Sequence, residues 1–249
     1  MHRFFTDIKN IHEDKITIIG EDVKHIKNVL RLNVEDIITI CDKNKTEYTS
    51  KILSINKESI VCHILDSTTS ISEPPVDVVL YQGIPKSTKM DLIIQKNTEL
   101  GVIKIIPIIT DRTITRIQDI KKEEKKLERW NRIAEEAAKQ SKRGIVPEVG
   151  GILPFKEMLK VLKNEKLIIV PYENEEKLGI KEALKGFDGE KINIIIGPEG
   201  GFEEWEINSL KSIGSKIVSL GPRILRTETA GFTASTIVLY ELGDLGVIQ

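Results

Sequence analysis

Between residues 76 and 242, near-continuous runs of Ile and Val alternate with longer amphipathic stretches, and this alternation restricts the fold more than any other feature of the chain. The apolar runs are 76–81, 102–109, 167–171, 192–196 and 216–220; the amphipathic ones are 87–100, 123–140, 155–162, 203–212 and 227–242. A strand that is apolar on both sides must be covered on both sides, which is the condition of a parallel sheet between helical layers. The class predicted is therefore α/β with a mostly parallel sheet. Within 123–140, Leu127, Trp130, Ile133, Ala134, Ala137 and Ala138 fall on one stripe, whose simplest use is core packing.

The N-terminal part follows another rhythm. Short apolar runs at 16–19, 37–40, 48–55 and 59–65, separated by polar turns, predict a small antiparallel sheet or barrel. One helix interrupts them, with Val23, Ile26, Val29 and Leu30 on one face, Asp22 at its start and Asn33 past its end. The hydroxyl-rich stretch 66–75, closed by Pro74 and Pro75, is expected to be the linker. This gives two domains, 1–70 and 74–249.

With 249 residues the chain is long enough to bury roughly three quarters of its unfolded surface without staples. Cys41 and Cys62 form no CxxC pair and no cluster with His, so neither a disulfide scaffold nor a metal site is expected. Charge meets the chain again at Asp7, which leaves no room for a secretory apolar region, and no apolar run is long enough to span a membrane. A cytoplasmic protein without membrane contact is the expectation. Net charge is -1 although 30% of residues are charged, so a nucleic-acid surface would have to be a local patch.

Three junctions are candidates for chemistry. In the first, the strand at 192–196 delivers Gly197-Pro198-Glu199-Gly200-Gly201 just before a helix. Ligands of α/β sheets bind outside the carboxyl ends of the strands, and glycines let the backbone come close to them. The spacing is neither that of a Walker loop nor that of the dinucleotide fingerprint. By itself the turn does not identify a ligand, and an ordinary tight strand-to-helix turn reads the same way.

The second junction, 221–229, places Arg223, Arg226 and Glu228 around Thr227, a residue able to cap the last helix. These charges fit substrate contact or a surface ion-pair cluster equally well. In the third, 83–91, Lys86 and Lys89 crowd the start of a helix, where the dipole opposes cations and an external anion such as RNA phosphate would relieve them. A solvated basic face is the plainer reading. Arg112, Arg116, Arg129, Arg132, Lys139, Lys142 and Arg143, with Gln140 and Ser141 between them, extend the same alternative.

Taken in order along the chain, these segments resemble the bacterial 16S ribosomal RNA uridine N3-methyltransferases, the RsmE family of the SPOUT superfamily. The resemblance is carried by His2-Arg3-Phe4-Phe5, by 25–31, by 86–91, by Gln95-Lys96 with Thr98-Glu99-Leu100-Gly101, by Gln140-Ser141 and Arg143, by 196–201 and by 220–229. It covers nearly the whole chain. Lys139 and Lys142 depart from it, since the family usually has an acidic residue before the Gln-Ser pair and often a glycine after it.

The resemblance implies a PUA-like β-barrel domain that helps bind RNA, then a SPOUT domain whose C-terminal segment forms a trefoil knot, an exception to the rule of unknotted chains. It implies a homodimer, S-adenosyl-L-methionine as cofactor, and 16S rRNA as substrate within the 30S subunit or a late assembly particle. On the matching positions, Ile196, Gly197, Gly200, Gly201, Leu220, Gly221, Ile224 and Leu225 would wrap the cofactor, and Arg226, Glu228 and Glu199 are the catalytic candidates. Arg3, Lys24, Arg31, Lys86, Lys89, Gln140 and Arg143 are the RNA-binding candidates. Two alternatives stand beside this reading. A SPOUT enzyme acting on another RNA site would show in where the methyl is mapped, and a noncatalytic RNA-binding assembly protein would show in RNA binding without methyl incorporation.

Overall fold

The structure, a computed structural model, describes residues 2–114 and 120–247. Arg116 of the basic set lies outside them. The chain forms two compact units, Met1–Glu73 with Ala138–Val146, and Pro74–Ala137 with Pro147–Gln249.

The first unit is built on a six-stranded sheet of β1 (Arg3–Phe5), β2 (Ile11–His12), β3 (Lys15–Ile19), β4 (Ile37–Cys41), β5 (Thr46–Ile55) and β6 (Ser59–Thr69), in the order β1-β4-β5-β6-β3-β2. Among the described residues of this sheet only β1 pairs in parallel, on β4. Alternation fixes the register: Ile16 faces Cys62 and Ile18 faces Ile60, all buried, while Lys15 and Ile19 are exposed. Two irregularities in the β5–β6 ladder, between Thr49 and Ser50 and between Ile52 and Ser54, bend this long pair. Both strands outrun their apolar text, because Thr46 pairs with Thr69 and Glu47 with Thr68. The expected linker is thus a strand as far as Thr69.

The helix α1 (Glu21–Lys24) continues as a π-helical turn, His25–Leu30, closed by Arg31 at φ 53°. The wider turn corrects the expected face: Val23 and Ile26 are buried, but Val29 is 68% exposed because residues three apart no longer stack.

The segment 138–146, which sequence reasoning put in the large domain, clusters with the first unit. Its anchor is Arg143, whose guanidinium meets the Glu73 carboxylate at 2.6 Å, with side chains only 2% and 3% exposed. Glu73 also accepts the Gly144 and Ile145 N–H groups, Lys139 pairs with Asp22 at 2.9 Å, and Ala138 and Val146 pack with Phe5 and Cys41. Gly144 is obligatory, since a Cβ there would lie 2.5 Å from the Ser70 Cβ.

The second unit contains β7 (Asp77–Gly83), α2 (Lys89–Leu100), β8 (Lys104–Ile109), α3 (Ile120–Gln140) except for its last residues 138–140, β9 (Glu148–Val149), β10 (Leu153–Pro154), α4 (Phe155–Leu162), β11 (Ile168–Pro171), α5 (Ile180–Leu184), β12 (Lys191–Ile196), α6 (Glu204–Ser212), β13 (Lys216–Val218) and α7 (Thr227–Glu241). Its strands are all parallel, in the order β10-β8-β7-β12-β11-β13 with β9 on β8. As the Ile and Val runs require, both faces are covered. Val78, Leu80 and Ile194 pack with Ile93 and Ile94 of α2 and Val238 of α7, while Val79, Tyr81 and Ile195 pack with Met158 of α4 and Ile207 of α6. Trp130 and Ala134 of α3 are buried in the first of these layers, as the apolar stripe predicts.

β12 lies between β7 and β11, with β13 outermost, so the chain leaving β13 returns past the end of β12 to enter α7, which packs on α2, β7 and β12. This return crosses the segment in which the resemblance implies a knot, and it builds the site.

Candidate active site

β12 ends at the buried Ile196, and the chain turns through 197–202 before the capping box of Glu203 and Glu206 opens α6. The turn folds on itself so tightly that a Cβ on Gly197 would meet the Phe202 ring at 3.2 Å and Gly201 Cα at 3.3 Å. β7 comes as near, a Cβ on Gly83 falling 2.4 Å from Pro198 N. Arg112 braces the outside, donating from Nε and Nη2 to Glu203 at 2.8 and 3.1 Å and from Nη1 to the Gly200 carbonyl at 2.8 Å.

The second wall is 219–226. Here Gly221 has φ 108° with nothing within 4 Å of a Cβ position, so glycine serves the turn of the backbone itself. Thr227 ties the two walls together. Its hydroxyl donates to the Gly197 carbonyl at 2.5 Å and accepts from Gln82 Nε2 at 2.9 Å, and both side chains are buried. This corrects the expected cap: Arg226 occupies the N-cap position of α7, and the Thr227 hydroxyl holds the neighbouring loop instead.

With Tyr172, Glu173, Glu175 and Glu176 after β11, these segments line a cleft of about 1000 Å³ outside the carboxyl ends of β11, β12 and β13. Ile196, Gly197, Gly200, Gly201, Leu220, Gly221, Ile224 and Leu225 all line it, as do Glu199 and Arg226. Ile224 is 88% exposed, an apolar side chain held against the open space of the cleft. Among the described residues neither Arg223 nor Arg226 has an ion-pair partner, so both guanidinium groups remain available. Sequence reasoning passed over the carboxylates at 173–176 and Gln82; the position of 173–176 after the β11 strand was the signal that could have found them.

Glu228 does not line the cleft but stands beside Lys89, which does. The Lys89 ammonium lies 3.2 Å from Glu199 Oε1 and 3.2 Å from Glu228 Oε2. Burial works to raise the Glu199 pKa, but hydrogen bonds from its own amide and that of Lys86, together with Lys89, hold it below the usual carboxylate range. The hydrogen bond to Glu199 raises Lys89 in turn, against the desolvation that lowers it.

Several residues expected at RNA are committed inside the protein. Lys89 is held between two carboxylates, Arg143 is buried against Glu73, and Arg3 makes a bidentate pair with Glu47 at 2.8 and 2.8 Å. Arg112 braces the glycine turn, Arg129 pairs with Asp91, and Lys139 with Asp22. Each has a carboxylate partner that the sequence order could not reveal. Lys24, Arg31, Lys86 and Gln140 are exposed.

The comparisons agree with this architecture. Residues 72–239 match the RNA methyltransferase domain model, and residues 18–65 match the RNA methyltransferase PUA domain model. The ribosomal RNA small subunit methyltransferase E of Bacillus subtilis is 36% identical, with 97% of each chain covered. That of Aquifex aeolicus is 32% identical over 96% of this chain and 99% of its own. Among solved structures, the ribosomal RNA small subunit methyltransferase E of Neisseria gonorrhoeae, bound to S-adenosyl methionine, superposes with a TM-score of 0.82 at 30% identity, covering 96% of each chain. A Legionella pneumophila methyltransferase with the same cofactor gives 0.81 at 29% identity, over 95% of this chain and 96% of its own. A PUA-like unit followed by a parallel SPOUT sheet, joined to this degree of identity along the full length, makes the chain a member of the ribosomal RNA small subunit methyltransferase E family.

Proposed function

We infer that the protein transfers the methyl group of S-adenosyl-L-methionine to N3 of a uridine in 16S rRNA of the small ribosomal subunit. The observation that carries this is the cleft in which two distant glycine turns are tied by Thr227. The residues present fit the cofactor. Leu220, Ile224 and Leu225 offer an apolar wall for an adenine, the glycine turns bring bare backbone to the cleft, and Glu173, Glu175, Glu176 and Glu199 suit its cationic part. When bound, it supplies a methyl carbon activated by a positive sulfur.

The chain supplies the rest. Uridine N3 carries a proton at neutral pH, which a carboxylate or an ordered water can accept; Glu199, which lines the cleft, and Glu228, which shares Lys89 with it, are the proposed carboxylates. Arg226, exposed on the cleft, can stabilise negative charge developing on the uracil oxygens. Lys24, Arg31, Lys86 and Gln140 are the exposed groups proposed to meet RNA, as phosphate contacts that set orientation.

We propose further that the protein acts as a cytoplasmic homodimer on the 30S subunit or a late assembly particle. Among the described residues no helix is long and apolar enough to cross a membrane.

The test is transfer of labelled methyl from the cofactor to 30S particles lacking the modification, followed by nucleoside identification and mapping. Label in a 16S uridine as the N3-methyl base supports the reading. Label in another RNA or at another atom, or tight RNA binding with no label, overturns it.

A further inference from the structure

Two carboxylates from different parts of the chain share one ammonium group at the edge of the cleft. Glu199 comes from the glycine turn after β12, Glu228 from the first turn of α7, and Lys89 from the first residue of α2. Lys89 Nζ is 3.2 Å from an oxygen of each. Among the described residues no other ion pair joins the three elements: Lys86 offers Glu199 its backbone N–H, Asp91 of α2 is taken by Arg129, and Arg226 at the start of α7 makes no ion pair.

The two carboxylates are not equivalent. Glu199 is fixed by Lys86 N–H bonds at 3.1 and 3.3 Å. Among the described residues the Glu228 Oε2 is buried beside Lys89 without a hydrogen-bond partner of good geometry, so that oxygen keeps acceptor capacity to spare. Two carboxylates held around one site oppose each other's ionisation unless a cation lies between them, and here that cation is Lys89.

Resting on the methyl-transfer reading above, we propose that Lys89 is a positioning residue that keeps Glu199 and Glu228 ionised together, so that Glu228 is charged and ready to take the uridine N3 proton. In that step the proton passes from N3 to a Glu228 oxygen and the N–H electron pair stays on N3. That pair forms the bond to the methyl carbon as the carbon–sulfur pair returns to sulfur, and the Glu228 carboxyl then releases its proton to water. Glu199 anchors the ammonium and takes no part in the transfer.

The test combines a titration that needs no activity with a pH–rate profile. In full-length protein, carboxyl ¹³C shifts of labelled glutamate, assigned with Glu199→Gln and Glu228→Gln, give both ionisations in the wild type and in Lys89→Met. Expected is a rise of about one pH unit or more for Glu228 in Lys89→Met, with or without a rise in Glu199. Single-turnover methyl transfer to unmodified 30S particles should then lose about tenfold at the acidic end, recover towards alkaline pH, and return to the wild-type profile in Lys89→Arg.

An unchanged Glu228 titration in folded Lys89→Met overturns the proposal, whatever the enzyme does. So do shifted titrations with an unshifted rate profile. If Lys89→Met fails to fold, Lys89→Gln and the wild-type titration replace it, and two wild-type carboxylates titrating a unit or more apart, with Glu228 the higher, overturn the proposal. Shifted titrations in a protein that transfers no methyl at any pH, wild type included, would sink the functional reading while leaving the shared-ammonium arrangement intact.

Discussion

The Arg143 guanidinium and the Glu73 carboxylate, with side chains 2% and 3% exposed, leave Arg143 almost no surface to offer a ligand. Basic, flanked by Lys142 and next to a Gln-Ser pair, it reads as a phosphate contact, yet it is buried against Glu73, seventy residues earlier in the chain. Breaking a buried pair strands a charge, so Arg143→Met should cost about 3–5 kcal/mol in urea unfolding, and Glu73→Gln added to it should restore part of that. A variant of full stability that merely bound RNA less well would return Arg143 to the surface role. Glu199 gives a prediction in pH. Its pKa is lowered on folding, so its contribution is complete above the ordinary carboxylate range and disappears as pH falls through the depressed value. The thermal stability of Glu199→Gln should therefore lie below wild type near neutrality and converge with it in acid; a constant gap would show that the charge is not what matters.

At the scale of elements, the strands of the large unit were legible because Ile and Val runs covered on both faces have no polar rhythm to confuse them, and α4 coincides with its apolar periodicity. Elements too short to hold a period escaped: α5 has five residues, β9 and β10 two each. The π-turn at His25–Leu30 escaped for a different reason, since Val29 reads as apolar and only the changed pitch turns it outward. In the site, the glycine turns were legible and the bonds that tie them were not, because the Thr227 and Gln82 contacts join residues far apart in the chain. Packing of α7 on α2 rests partly on a buried polar contact, Ser235 Oγ donating to Asn97 Oδ1 at 2.8 Å. Ser235→Ala leaves that oxygen unpaired and should lower unfolding free energy by about 1–3 kcal/mol, measured by chemical denaturation. A loss within error would mean that the Asn97 oxygen finds another donor.

For the whole molecule, the division into units was legible in the change of rhythm near residue 70, while the membership of 138–146 was not, since nothing local marks those residues as partners of Glu73 and Phe5. A fragment ending at Glu73 lacks Arg143, the Gly144 and Ile145 amides and Val146. It should give poorly dispersed amide spectra and a non-cooperative melt, improved by adding a peptide of residues 138–146. A fragment that melts as sharply alone as with the peptide would show that the segment is dispensable.

That discontinuity also sets a schedule for birth on the ribosome. Synthesis proceeds from the N-terminus at about 5–20 residues per second, and domains ordinarily settle as they emerge. Here the leading sheet must wait, with Glu73 lacking its guanidinium, until the chain through Val146 has cleared the exit tunnel. By then β7, α2 and β8 have already been made. The first region to be translated is thus among the later ones to be finished, and a pause in translation before Val146 would prolong the interval in which its apolar face is open to chaperones or to misassembly.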